Sequence, residues 1–314
     1  MTVYFLGWKA QYEKLFIDHL AESYDVVYLE QSKFWNRLNR LVGRFLGGRW
    51  QSRLALFYVW RSGFSANDLL ICNEGEIHRK FNAPIVGAFP GVKLLLIRDL
   101  VDSDFIIRWA GLFDAVYSFD RKQCEVLGIK YLHQFFPMGF AHAKAVASSY
   151  EWTTTKALFI GRDKGRGQAL IRLAETLVEC GCEVDFRILV DKQFSGKTKY
   201  HVTELVDYRD YVLASAGADV IVEVNQSGQA GVTLRALEAA YFGKKLITTN
   251  SSVRELSFYN PCNFYILDDC HLPDVEELKR FLASTVEPVA SSLIYEYSPE
   301  HMLETLMRNH GYSG

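Results

Sequence analysis

Residues 156–167 read Lys156-Ala157-Leu158-Phe159-Ile160-Gly161-Arg162-Asp163-Lys164-Gly165-Arg166-Gly167, an apolar run of strand length that ends in a turn crowded with glycine and cations. The next residues, Gln168 to Cys180, carry a helical pattern. Strand, turn and helix in that order form the repeating unit of a parallel α/β sheet. Glycines let the backbone approach an anion, a helix start offers unpaired N–H groups, and Arg162, Lys164 and Arg166 add positive charge. Together they suit a diphosphate. The turn lacks both the Lys-Ser/Thr ending of a P-loop and the G-x-G-x-x-G of dinucleotide dehydrogenases.

The same rhythm extends in both directions from this turn. Upstream, Thr2 to Leu6, Asp25 to Leu29, Asp68 to Cys72, Val92 to Ile97 and Asp114 to Phe119 are short, nearly continuous apolar runs. Strands covered on both faces look like this in sequence. Downstream, Glu183 to Val190, Asp219 to Val224, Lys244 to Thr248 and Asn263 to Leu267 repeat the pattern, and two helical stretches, Asp274 to Ala283 and Pro299 to Arg308, close the chain. The segment from Phe136 to Thr155 breaks the alternation and is expected to connect two domains. The expected fold class is α/β, with two Rossmann-like doubly wound domains facing each other across a cleft. Residues 1–140 form the first and 150–290 the second, with a C-terminal helix in 291–314 able to pack back toward the first.

A second polar, glycine-containing loop follows the strand that ends at Val224, and Gly231-Val232-Thr233 opens another helix. Its free N–H groups are expected to point into the same crevice as the first turn. Glu238 lies farther along that helix, and a carboxylate there can accept hydrogen bonds from the vicinal hydroxyls of a ribose.

In the order Gly161-x-x-Lys164-Gly165-Arg166, then Gly231-Val232-Thr233-x-Arg235-Ala236-Leu237-Glu238-Ala239, then Gly243-Lys244-Lys245-Leu246-Ile247-Thr248-Thr249-Asn250, the C-terminal half resembles the donor half of GT-B glycosyltransferases. It is similar in particular to enzymes of bacterial lipopolysaccharide, O-antigen and capsule synthesis, and Phe113 to Asp120 carries the resemblance into the N-terminal half. The resemblance implies a transferase of the hexosyl type whose C-terminal domain binds a nucleotide diphosphate sugar and whose N-terminal domain binds a glycan acceptor on a lipid carrier. It further implies a diphosphate held by Gly161, Arg162, Lys164, Arg166, Gly231, Val232, Thr233 and Arg235, with Glu238 on the ribose. Retaining members of the fold often carry two glutamates eight positions apart, and here the position eight before Glu238 is Ala230.

Transfer of this kind runs without a metal when fixed dipoles and guanidinium groups stabilise the leaving diphosphate, so neither a metal nor another cofactor is expected. If transfer inverts the sugar, a side chain of the N-terminal domain must deprotonate the acceptor hydroxyl. Asp99, then Glu74, are the candidates, each just past a strand end; Glu76 is nearby. Asp102-Ser103-Asp104 has the form of a metal-nucleotide pair, but it precedes a helical pattern and reads more simply as a cap.

Between Lys33 and Arg61 lie seven cationic residues and three tryptophans but no acid. On a helical wheel Arg37, Arg40 and Arg44 share one face while Phe34, Leu38, Leu41 and Phe45 share another, the arrangement an interfacial helix presents to anionic lipid. The alternative is a helix packed on a core with a solvated basic side. With the resemblance added, contact with the inner-membrane surface is expected, and a cytoplasmic protein peripheral to that membrane.

Composition excludes several classes. The 314 residues are 49% hydrophobic and 23% charged with a formal net charge of −2, so no global charge draws the chain to nucleic acid. The run Met1 to Gly7 reads as a first strand and not as a signal segment, and no stretch approaches the roughly 18 consecutive apolar residues of a membrane span. Six scattered cysteines suit reduced thiols. Two other functions remain open: a Rossmann-type nucleotide-sugar enzyme such as an epimerase, and a non-catalytic nucleotide-sugar-binding protein.

Overall fold

The computed structural model describes residues 1–79, 81–147, 154–190, 198–204, 206–225, 230–267 and 273–312. The chain divides into two compact units, Met1–His133 with Met302–Gly314, and Gln134–His301.

The first unit contains β1 (Val3–Leu6), α1 (Gln11–Leu20), β2 (Val26–Leu29), α2 (Lys33–Phe45), α3 (Gly48–Ser62), β3 (Leu69–Asn73), α4 (Asn82–Ala88), β4 (Val92–Ile97), α5 (Ser103–Trp109), β5 (Ala115–Ser118), α6 (Arg121–Leu127) and β6 (Lys130–Tyr131). Its six strands lie in the order β2-β1-β3-β4-β5-β6, every pairing parallel. Leu69, Leu70 and Ile71 are fully buried, which requires cover on both faces of the sheet and accounts for their unbroken apolar run. Asp102 starts α5, accepting from the Phe105 N–H at 2.8 Å, and Asp120 starts α6 in the same way through Gln123 at 2.9 Å. The capping expected of Asp102 is therefore observed.

The segment Lys33 to Arg61 is two helices, broken at Leu46 and Gly47. α3 buries Ala55, Tyr58 and Val59, whereas the one buried residue of α2 is Asn39. Gln51 of α3 donates to the Asn39 side chain at 3.1 Å, and Trp35 packs on Tyr58 with ring centroids 5.1 Å apart. Phe34, Leu41, Phe45, Leu46, Trp50 and Trp60 are left exposed. Among the described residues no helix is long and apolar enough to cross a membrane.

The second unit contains α7 (Phe140–Ala147), β7 (Lys156–Arg162), α8 (Gly167–Glu179), β8 (Glu183–Leu189), β9 (His201–Val202), α9 (Tyr208–Gly217), β10 (Val220–Glu223), α10 (Leu234–Phe242), β11 (Lys245–Thr248), β12 (Phe264–Ile266), α11 (Val275–Ala283) and α12 (Ser291–Tyr295). Its sheet runs β12-β11-β10-β7-β8-β9, again all parallel. Phe159, Phe186, Val222 and Ile247 from the strands pack with Leu170 and Leu177 of α8 and with Leu278 and Phe281 of α11. Phe136 and Phe140 pack on Tyr241 of α10, at 4.3 and 5.9 Å between ring centroids.

The expected connection from Phe136 to Thr155 is thus partly a helix, α7, held by these aromatic contacts; residues 148–153 lie outside the described set. The last helix, α13 (Pro299–Asn309), contributes its residues from Met302 onward to the first unit. There Tyr24 donates to Glu304 at 2.9 Å and Tyr312 to the Asp68 carbonyl at 3.1 Å.

Candidate functional site

In the second unit the chain leaves β7 toward β8 and β9 and later returns to place β10 on the opposite side of β7. Loops after two such neighbouring strands diverge, and the crevice between them is where open α/β sheets hold ligands. The turn after β7 is tight, with Lys164 and Gly165 both left-handed (φ 48° and 80°) and the Arg166 N–H closing onto the Asp163 carbonyl at 3.0 Å. Asp163 is buried, and its carboxylate accepts from the Gly167 N–H at 2.7 Å. The Asp163 side chain thereby holds the start of α8. Arg162 and Lys164 are exposed.

Arg166 and Arg235 meet at this crossover. The Arg166 guanidinium donates to the carbonyl of Val224, just past β10, and to the Arg162 carbonyl at 3.4 Å. Arg235, in the first turn of α10, reaches the opposite way and donates to the Ile160 carbonyl of β7 at 2.6 Å. A Cβ on Gly161 would stand 2.8 Å from that guanidinium, so Gly161 leaves the room in which Arg235 lies. Both cations sit over the Phe159 ring, at 5.5 and 5.1 Å from its centroid. Burial, followed by the neighbouring Arg235 charge, lowers the Arg166 pKa to about 10. Arg166 Nε is buried and has no partner among the described residues.

The start of α10 is fixed from below. The Thr233 hydroxyl donates to Glu223 and accepts from the Arg235 N–H at 3.2 Å, while Thr248 donates to the other Glu223 oxygen at 2.5 Å. Asn250 donates to the Gly231 carbonyl at 3.0 Å, and the Asn225 N–H donates to Thr249 at 2.8 Å. Nothing in the local pattern sets Glu223, Thr248 or Asn250 apart except that Glu223 is an acid ending an otherwise apolar strand. Gly231 is buried, Val232 is half-buried, and residues 226–229 of the loop lie outside the described set.

Glu238 is 1% exposed and accepts from the Tyr211 hydroxyl of α9. Burial pushes its pKa up to about 7 against the opposing effects of Tyr211 and Arg235.

The first unit has its own crossover, between β1 and β3. Gly7, with φ at 86°, packs so tightly that a Cβ there would lie 2.6 Å from the Glu76 Cβ. Glu76 is buried between Lys9 and Arg79, the latter at 2.8 Å. Glu13 of α1 is buried as well, accepting from Asn73 at 2.6 Å and from the Ala10 N–H at 2.9 Å.

The two acids named from sequence differ in surroundings. Glu74 is half-buried and accepts from the Arg98 N–H at 3.1 Å; burial pushes its pKa up to about 7. Asp99 is exposed and accepts from the Leu100 N–H at 2.9 Å. Among the described residues no three His, Cys, Asp or Glu side chains are grouped as a metal site. The described cysteines, Cys72, Cys124, Cys180, Cys182 and Cys262, are free thiols; Cys270 lies outside the described set.

No protein-family model matches the chain, and no curated protein matches its sequence. Solved structures do match in shape. AviGT4, a glycosyltransferase involved in avilamycin A biosynthesis, aligns over 99% of this chain and 97% of its own at 12% identity, with a TM-score of 0.60. The UDP-GlcNAc 2-epimerase of Methanocaldococcus jannaschii aligns over 98% and 99% at 11% identity, with a TM-score of 0.51. A glycosylation-associated protein complex (Gap123) from Streptococcus agalactiae aligns over 83% of this chain at 13% identity and a TM-score of 0.48, and the chain spans only 55% of that protein. Likeness at this level of identity speaks to architecture: two Rossmann-like domains, each an all-parallel six-stranded sheet, give this chain the GT-B fold.

Proposed function

We propose that the chain is a glycosyltransferase that moves a hexosyl unit from a nucleotide diphosphate sugar to a glycan of the lipopolysaccharide or capsule type, carried on a lipid. The single observation behind this reading is the pair Arg166 and Arg235 at the β7/β10 crossover, partly desolvated, whose guanidinium hydrogen bonds among the described residues go to main-chain carbonyls, with the Glu223 and Asp163 carboxylates acting on Arg166 only through space. Two cations so placed form a seat for a dianion, and a helix start beside them adds its dipole. As the glycosidic bond breaks, charge grows on the diphosphate, and these groups stabilise it without a metal. Lys164 and Arg162 complete the basic rim.

In the first unit Glu74 is the better base than Asp99. A carboxylate partly removed from water, with its pKa near 7, takes a hydroxyl proton more readily than an exposed aspartate. A base on the acceptor is the requirement of inverting transfer.

The test is a panel of UDP-, GDP- and dTDP-sugars scored for thermal stabilisation and for release of nucleoside diphosphate. A ligand at 100 times its Kd stabilises the native state by about 2.7 kcal/mol, a shift of several degrees. Stabilisation with sugar release supports a transferase. Recovery of an isomerised, intact sugar nucleotide would favour an epimerase, and binding without turnover a non-catalytic protein.

The acceptor side lies, in this proposal, at the inner surface of the cytoplasmic membrane, contacted through α2 and α3. Seven cations and exposed Phe34, Phe45, Trp50 and Trp60 with no acid among them complement an anionic lipid surface. The chain should sediment with vesicles containing phosphatidylglycerol and not with phosphatidylcholine vesicles, and Phe45→Ser with Trp50→Ser should abolish that binding. Equal binding to both vesicle types would count against it.

A further inference from the structure

Glu74 is tied to the end of the next strand through Arg98. Its Oε2 accepts from the main-chain N–H of Arg98, the first residue after β4, at 3.1 Å. β4 is the direct neighbour of β3, with Asn73 in register with Leu96, so this bond ties the turn after one strand to the end of the next. The Arg98 side chain then lies across Trp8 and Tyr12, at 5.6 and 4.9 Å from their ring centroids. Trp8 is fully buried and stacked on Phe16, with ring planes 22° apart, so this platform is rigid. Cation–π contact restricts where the guanidinium can go.

Glu13 enters the same cluster from α1. It is buried, and the Asn73 amide that donates to it at 2.6 Å also accepts from the Gly75 N–H at 2.7 Å. Through Asn73, Glu13 therefore braces the turn that bears Glu74, while adding a second negative charge beside it. Lys9, Glu76 and Arg79 satisfy one another separately.

We propose that Arg98 is the positioning residue of Glu74: its main chain fixes the carboxylate, and its guanidinium, braced on Trp8 and Tyr12, is the positive charge that offsets the neighbouring Glu13. The inference rests on the reading of Glu74 as the acceptor base. The electrostatics agree in direction, because burial raises the Glu74 pKa, Arg98 opposes the rise through both its N–H and its charge, and Glu13 adds to it. Tyr12 and Asp99 are the other titratable groups in the cluster.

The experiment is an NMR titration of the full chain labelled with 13C at the glutamate carboxyl carbons, with Glu74→Gln identifying the Glu74 resonance. Arg98→Met keeps the main-chain donor and removes the charge, so the Glu74 midpoint should move up by on the order of one pH unit. Arg98→Lys should return most of that shift, and Glu13→Gln should move the midpoint down. An unchanged midpoint in Arg98→Met overturns the proposal, as does a rise in Glu13→Gln; the latter arm decides the matter if Arg98→Met does not fold. The acid limb of transfer should follow the same shifts. If the midpoints move as stated while Glu74→Gln retains full turnover, the base assignment fails and the Arg98 coupling stands. If Glu74→Gln is inactive and the midpoints do not move, the reverse holds.

Discussion

The Glu74→Gln variant is expected to lose on the order of 10²- to 10⁴-fold in kcat for transfer, with a nucleotide-induced thermal shift like that of the parent chain. Glutamine keeps the shape and can still accept from the Arg98 N–H, so the substitution removes proton transfer with little else. A carboxylate base acts only when ionised. With a pKa near 7, wild-type turnover should rise with pH through that region and then level off. Stability has the opposite sign. Because the folded-state pKa lies above the usual carboxylate value of 4.5, the native chain holds more protons than the unfolded chain between about 4.5 and 7, so this group's contribution falls as pH rises across that window. Glu74→Gln should therefore gain stability relative to the parent above pH 7. Full turnover in this variant with native donor binding would remove the base assignment.

Arg166→Met carries the other large effect, about 10²- to 10³-fold in kcat/KM, the usual consequence of removing one stabilising donor from a developing anion. Without ligand its loss should be nearly neutral for stability. Burial of the guanidinium and the neighbouring Arg235 charge work against the charged form, while the hydrogen bond to the Val224 carbonyl and the attraction of Glu223 and Asp163 work for it, so the contributions offset. A bound diphosphate reverses that balance. The expected signature is an unaltered melting temperature in the free protein together with a lost nucleotide-induced shift. A variant that melts well below the parent but still responds to nucleotide would mark Arg166 as structural. Methionine retains an apolar stem over Phe159, which limits the packing loss.

Much of the architecture was legible along the chain because its causes are local. Leu69 to Cys72 and Leu94 to Ile97 are buried on both sides of a parallel sheet, and only continuous apolar runs satisfy that geometry. The helix starts at Asp102 and Thr233 were readable for the same reason, since a capping oxygen acts on an N–H two or three residues away. Shorter pieces escaped. β6 and β9 have two residues each, too few to show a period, and α7 hides in a stretch whose small residues resemble a linker until Phe136 and Phe140 find Tyr241.

The site was legible in residue type and not in arrangement. Glycine and basic residues after β7 announced an anion-binding turn, but only the structure pairs Arg166 with Arg235 and suspends the Thr233 hydroxyl from Glu223. Asp99 and Glu74 are alike in sequence, as acids just past strand ends. They part only when the fold turns one toward water and desolvates the other. The helical wheel divided Lys33 to Arg61 into faces, but whether α2 would be covered depended on what the rest of its unit placed over it.

By itself, then, the sequence determined the strand and helix rhythm, the turn chemistry and the charge of the segment Lys33 to Arg61, all properties of residues a few positions apart. Tertiary structure decided which carboxylate loses its water and which guanidinium meets which carbonyl, because those contacts join residues such as Glu74 and Arg98, or Ile160 and Arg235, 24 and 75 positions apart. Desolvation and like-charge repulsion depend on distance in space, which no local pattern encodes.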